Sequence, residues 1–277
     1  MEERHAVVDE SGLYLYGFVS LPIQLPAVMG VEENVPVFLV EYADIGCAVS
    51  VIVPSPYQRE DRTPQEQLEW VTPRAWRHHD VLQRLHASTS VLPLKFGTLC
   101  AGLDDLRTML RDRHVAIGEE LARLAGKDEW TLRVTIDRAA FAEHLQASEP
   151  ALIALKEALR RLSEGPAYFA RKELQQATSD LADVRLAALE NQVFDELLPL
   201  KLQIVPLDAP TGASADPTRL CITHAALLVE RCAFDVLELR LAGFEVKYCE
   251  PPVTCELLGP WPPYSFASAL ESSRGRE

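Results

Sequence analysis

The chain has 277 residues, 48% of them hydrophobic, with a formal net charge of −14 and a pI near 5.0. That hydrophobic fraction belongs to a folded globular protein, the length favours two domains, and the acidity argues against nucleic acid and anionic lipid as partners. Met1-Glu2-Glu3-Arg4-His5 leads into no apolar signal-peptide core and no run reaches the ~18 apolar residues of a membrane span, so a cytoplasmic protein is expected.

Leu13-Tyr14-Leu15-Tyr16-Gly17-Phe18-Val19 is almost wholly apolar and reads as a buried strand. Val37–Tyr42 and Cys47–Val53 are strand-like runs joined by Ala43-Asp44-Ile45-Gly46, a hairpin pattern. Thr63-Pro64-Gln65-Glu66 is a capping box with proline at the first helical position, predicting a short helix through Trp70. Thr72-Pro73 repeats the start signal, and the next helix places Ala75, His78, Val81, Leu82 and Leu85 on one face. Val91–Leu99 reads as a strand. Asp104 is positioned to cap one helix carrying Leu106, Leu110, Ile117, Leu121 and Leu124, which Gly126 ends.

Trp130–Ile136 alternates as a half-buried strand. Leu152, Leu155, Leu159 and Leu162 form a helical stripe, Gly165-Pro166 interrupts it, and a long helix is predicted to about Leu198. Leu202–Leu207 and Leu220–Glu230 read as strands around the Gly/Pro-rich stretch Ala209–Pro217, Phe234–Ala242 as a helix, and Phe244–Cys249 and Thr254–Leu258 as strand pieces around Pro251-Pro252. The expected fold class is α+β with two domains: residues 1–126, a mostly antiparallel sheet with helices on one face, and residues 127–258, a ferredoxin-like βαββαβ unit with a long helical crossover. Residues 259–277 form a tail. Its three prolines exclude helix and central strand over Gly259–Phe266 and predict an extended run carrying Trp261, Tyr264 and Phe266. Such a rod either clasps its own domain or offers its rings to another protein.

The search for chemistry yields little. His79 and His86 lie about 10 Å apart on a helix and cannot share one ion, and His78 sits on the apolar face as a core histidine. The six cysteines, Cys47, Cys100, Cys221, Cys232, Cys249 and Cys255, contain no C-x-x-C pair and are expected to be free and mostly buried. Gly165–Lys172 fails as a phosphate loop, because no glycine precedes Lys172 and Glu173 replaces the magnesium-binding hydroxyl. No catalytic, cofactor or metal residues are assigned. Lys95, set among the apolar residues of Leu92–Thr98, is expected to snorkel to a rim or meet a carboxylate, the functional alternative being that it marks a contact surface at the strand end.

Five stretches in order, LYLYGFV at 13–19, DIGCAVSVIVP at 44–54, LPLKFGT at 92–98, GPAYFARK at 165–172 and GPWPPYSF at 259–266, together resemble the gas vesicle protein L/F family. Lys95 stands where most members are expected to carry arginine. The resemblance implies two α+β domains, the second ferredoxin-like, and a non-enzymatic accessory or minor structural protein of gas vesicle assembly. It implies binding of the hydrophobic major shell protein, which limits that protein's aggregation during nucleation, along with contacts to other accessory proteins, and association with the vesicle. Trp261, Tyr264, Phe266 and Lys95 are the candidate partner-binding residues. The alternative is a ligand-binding regulatory module on a ferredoxin-like sheet.

Overall fold

Strand β1 (Gly12–Ser20) is buried along nearly its whole length, and the first half of the protein is built around it. The structure, a computed structural model, describes residues 11–59, 61–208 and 216–267. Their contacts group into two units, residues 11–129 with 260–267, and residues 130–259. The fold is mixed α+β with two antiparallel sheets.

In the first unit, β1 pairs with β3 (Ile45–Ile52) on one side and with β4 (Val91–Pro93) and β5 (Leu99–Cys100) on the other. β2 (Phe38–Tyr42) closes the expected hairpin on β3. The register of β1 against β3 slips between Leu15 and Gly17. Side chains alternate faces along a strand, and an extra residue re-aims those that follow. Tyr14, Tyr16 and Val19 pack with Val81, Leu82 and Leu85 of helix α1 (Pro64–His86), whereas Leu15 and Phe18 line a groove shared with helix α2 (Leu103–Asp112). The expectation of helices on one face is therefore corrected. A strand with no polar alternation is apolar on both faces and needs cover on both.

Helix α1 also corrects the sequence reading. It runs unbroken through Pro73. Thr63 and Glu66 form the predicted capping box, the Glu66 carboxylate accepting the Thr63 N–H at 2.9 Å. Proline costs its helix the bond to the carbonyl four residues back, but Glu69, Thr72 and Pro73 are all exposed, so water replaces it. The single helix expected after Asp104 is two, α2 and α3 (His114–Leu124), broken at Arg113, whose φ of −109° and ψ of 10° leave helical space. The N-cap of α2 is Gly102, with Asp104 and Asp105 in the first turn, where the helix dipole favours acids. The strand expected over Val91–Leu99 is split into β4 and β5 by Gly97, whose φ of +85° suits glycine.

The second unit's sheet has the order β7-β8-β6-β9, from β6 (Lys127–Asp137), β7 (Gln203–Pro206), β8 (Arg219–Glu230) and β9 (Val253–Trp261). Helices α4 (Arg138–Ser148), α5 (Pro150–Leu159) and α6 (Glu164–Leu197) connect β6 to β7, and α7 (Phe234–Lys247) connects β8 to β9. Leu132, Val134, Ile136, Leu227, Leu237, Leu241 and Phe244 form its core. Phe244–Lys247, expected as strand, is the last turn of α7, because Phe244 continues the buried spacing of Leu237 and Leu241. Most of the Ala209–Pro217 stretch lies outside the described residues. The cysteines are free, but Cys47 alone is buried; Cys232 and Cys249 flank α7 in exposed turns.

Gly17 sits where a Cβ would lie 2.8 Å from the Leu92 carbonyl oxygen and 3.1 Å from Leu82 Cδ2. Gly17→Ala is therefore expected to destabilise the fold by about 1–3 kcal/mol, as overpacking does, read as a lower urea midpoint at unchanged slope.

Candidate functional site

The tail does not stay with the second unit that precedes it. Gly259-Pro260-Trp261 completes β9, an edge strand, where a proline is tolerated because one side of the strand needs no donor. From Pro260 onward the chain packs with the first unit. The extended run ends sooner than expected, since Tyr264–Phe266 is a single 3-10 turn. Gln83 of α1 donates to the Pro260 carbonyl at 3.1 Å, and Tyr264 Oη and His79 Nδ1 share a 2.8 Å hydrogen bond. Arg123 donates to the Phe266 carbonyl at 2.6 Å. Pro262, Pro263 and Phe266 are buried.

The anchor is Glu129, only 5% exposed. Its carboxylate accepts the Ser265 N–H at 2.7 Å and the Ser265 hydroxyl at 2.8 Å. Burial pushes this carboxyl above the ordinary range, against the pull of the two Ser265 bonds. Burial, with the nearby Glu129 charge, also raises the Tyr264 phenol, which stays protonated at neutral pH.

Around His79 the tail completes an aromatic patch. The His79 ring lies 5.5 Å from Trp261, 6.0 Å from Tyr264 and 6.2 Å from Trp76, centroid to centroid. Trp76 is 69% exposed and Tyr264 36%, while Trp261 is half-buried. Of the four candidate residues, the structure thus brings Trp261 and Tyr264 to one surface and commits Phe266 to packing. Lys95 is exposed on the rim of the groove between the 94–101 segment and α2, a space of 840 Å³ floored by Leu15 and Phe18. Sequence reasoning missed Trp76, although a signal was present: a large aromatic off the Ala75-His78-Leu82 stripe has no core to enter.

The groove rim is held from below. Tyr14 Oη accepts the Gly97 N–H at 3.0 Å and lies 2.9 Å from His78 Nδ1, while the Leu94 backbone is the hydrogen-bond partner of the same imidazole. His78 is therefore the hydrogen-bonded core histidine that its apolar face implied. Burial lowers its pKa to about 4, so it is neutral at pH 7. Among the described residues no group of His, Cys, Asp and Glu is arranged to hold a metal ion, and no helix is long and apolar enough to cross a membrane.

The gas vesicle synthesis protein GvpL/GvpF model matches residues 12–268. The chain belongs to the GvpL/GvpF family. It is 30% identical over 216 residues to gas vesicle protein L of a Streptomyces strain, covering 76% of this chain and 74% of the relative. It is 26% identical over 285 residues to gas vesicle protein L1 of Halobacterium salinarum, covering 96% and 95%. The crystal structure of GvpF from Anabaena superposes with a TM-score of 0.68 at 20% identity, covering 93% of this chain and 98% of that one, which shows a shared fold. The matched span of the GvpL/GvpF model includes both the aromatic patch and the Lys95 groove.

Two outcomes are expected. Phe266→Ala removes a ring only 6% exposed and should cost about 3–5 kcal/mol, whereas Trp76→Ala should stay within about 0.5 kcal/mol; urea unfolding of both variants checks this. His78 gives a pH signature. Its folded pKa of about 4 lies below the ordinary 6.5, so the unfolded chain binds the proton first as pH falls. Its contribution is intact above pH 6.5 and is lost between 6.5 and 4, amounting to about 3 kcal/mol. Stability curves of the wild type and His78→Gln should differ in slope across that window and run parallel above it.

Proposed function

We propose that this GvpL/GvpF protein serves gas vesicle assembly by holding the hydrophobic major shell protein in solution, limiting its aggregation during nucleation, and that the patch of Trp76, His79, Trp261 and Tyr264 is where it binds. The observation that carries this reading is the 69% exposure of Trp76 beside a tail whose own rings are already anchored. Tryptophan and tyrosine held rigidly at a surface give contact area at low entropic cost and are typical of binding hot spots. A net charge of −14 keeps such a carrier dispersed while it holds an apolar subunit. Lys95 on its groove is a second contact surface, for other accessory proteins.

On this reading the protein is a non-enzymatic accessory component that associates with the vesicle. Its second unit is ferredoxin-like. Support for that assignment comes from the strand order β7-β8-β6-β9 with α4–α6 and α7 as crossovers, the βαββαβ order with an enlarged first crossover. The relatives, gas vesicle proteins L and F, support the assembly role.

Pull-down of the full chain co-expressed with the major shell protein tests the reading. The wild type should retain the subunit, and Trp76→Ala should lose most of it with an unchanged melting temperature. Retention that survives Trp76→Ala would move the binding surface elsewhere, and no retention by the wild type would remove the shell protein as partner.

A further inference from the structure

Between α4 and α6 of the second unit lies a cleft of 320 Å³, at the lower end of the range for small-molecule sites. Gln146 donates to Thr178 Oγ1 at 3.3 Å, and Arg185 donates to Glu149 at 2.9 Å. Both bonds tie the end of α4 to α6. Arg138 of α4 and Arg171 of α6 both line the cleft. Its wall beside them is Phe141 and Leu174, both buried in the unit's core.

The cleft thus carries two arginines, and neither is ion-paired to a carboxylate among the described residues. Among the described residues, nothing bonds the Arg171 side chain, and the Arg138 guanidinium makes a 3.4 Å bond to the Pro217 carbonyl. The acid that lines the cleft, Asp183, is twelve positions beyond Arg171 on α6, about 18 Å along the helix. Guanidinium recognises carboxylate and phosphate through paired N–H donors. Gln175, one turn after Arg171, adds an amide at the same wall.

We propose that this cleft binds a small organic anion, a carboxylate or a phosphate monoester, whose head group lies between Arg138 and Arg171 and whose apolar body rests on Phe141 and Leu174. Both arginines are exposed, so water screens the contact and the affinity is modest. The site is independent of the aromatic patch of the first unit.

The test is NMR titration of the full chain with phenyl phosphate and with benzoate, using benzyl alcohol as the neutral control and inorganic phosphate as the head group alone. Saturable shifts at the Phe141, Arg171 and Gln175 amides are expected with phenyl phosphate or benzoate but not with benzyl alcohol. The better of the two identifies the preferred head group. Arg171→Gln and Arg138→Gln should each weaken that binding at least tenfold. No saturable shift with either aromatic anion, or shifts that survive both substitutions, would overturn the proposal. Inorganic phosphate binding as tightly as phenyl phosphate would overturn the apolar half of it.

Discussion

The first unit depends on one buried arrangement, the Tyr14–His78 pair that joins β1 to α1 beneath the 94–97 segment. β1 is apolar on both faces, so its phenols enter the core with polar atoms that must be satisfied there. Tyr14 meets His78 and the Gly97 amide, and Tyr16 meets Ser50 and the Val31 amide. Each bond ties a distant segment to the central strand. The same burial keeps His78 neutral, which lets its ring act as an acceptor toward one neighbour and a donor toward another. The groove that displays Lys95 is thus shaped from the core outward.

The tail follows a related logic. Its prolines reduce the conformational freedom it loses on docking, and its 3-10 turn directs the Ser265 amide and hydroxyl to one carboxylate. Glu129 is costly to bury, and the cost is offset by two short hydrogen bonds. The consequence is a fixed aromatic surface rather than a loose end. Phe266 is buried in packing, while Trp76 and Tyr264 remain at the surface and Trp261 is half-buried, all three rings meeting His79. One short segment therefore combines a stability role with a presented face, and the two are separable residue by residue.

Charge is distributed in the same economical way. Many arginines of the first unit are matched locally: Arg74 with Glu32 at 2.9 Å, Arg84 with Asp80 at 2.8 Å, Arg123 with Glu120 at 2.6 Å. Trp70 is flanked by the Arg62 and Arg74 guanidinium groups at 4.2 and 4.5 Å, a cation–π arrangement that fixes the outer face of α1. Against that background Arg138 and Arg171 of the cleft stand out because neither is ion-paired to a carboxylate among the described residues. Acidic excess elsewhere keeps the protein dispersed, which suits a family concerned with gas vesicle synthesis.

The amino-acid sequence by itself determined the local matters: the continuous apolar run of β1, the Thr63 capping box, the β2–β3 hairpin, the length of α6 and the stiffness of the Pro/aromatic tail. These depend on spacing and on the dihedral limits of single residues, which neighbours in the chain settle. His78 was legible as a core residue for the same reason. Tertiary structure decided where proline or an acid would end or cap a helix. Pro73 is absorbed by an exposed face of α1, and Asp104 is displaced as cap by Gly102. It alone decided that helices cover both faces of the first sheet, that the tail returns to α1, and that Trp76 completes the patch. It also set Arg138 and Arg171 on one cleft. Each of these joins residues far apart in the chain, and periodicity records which face of an element is apolar but not which distant element will cover it.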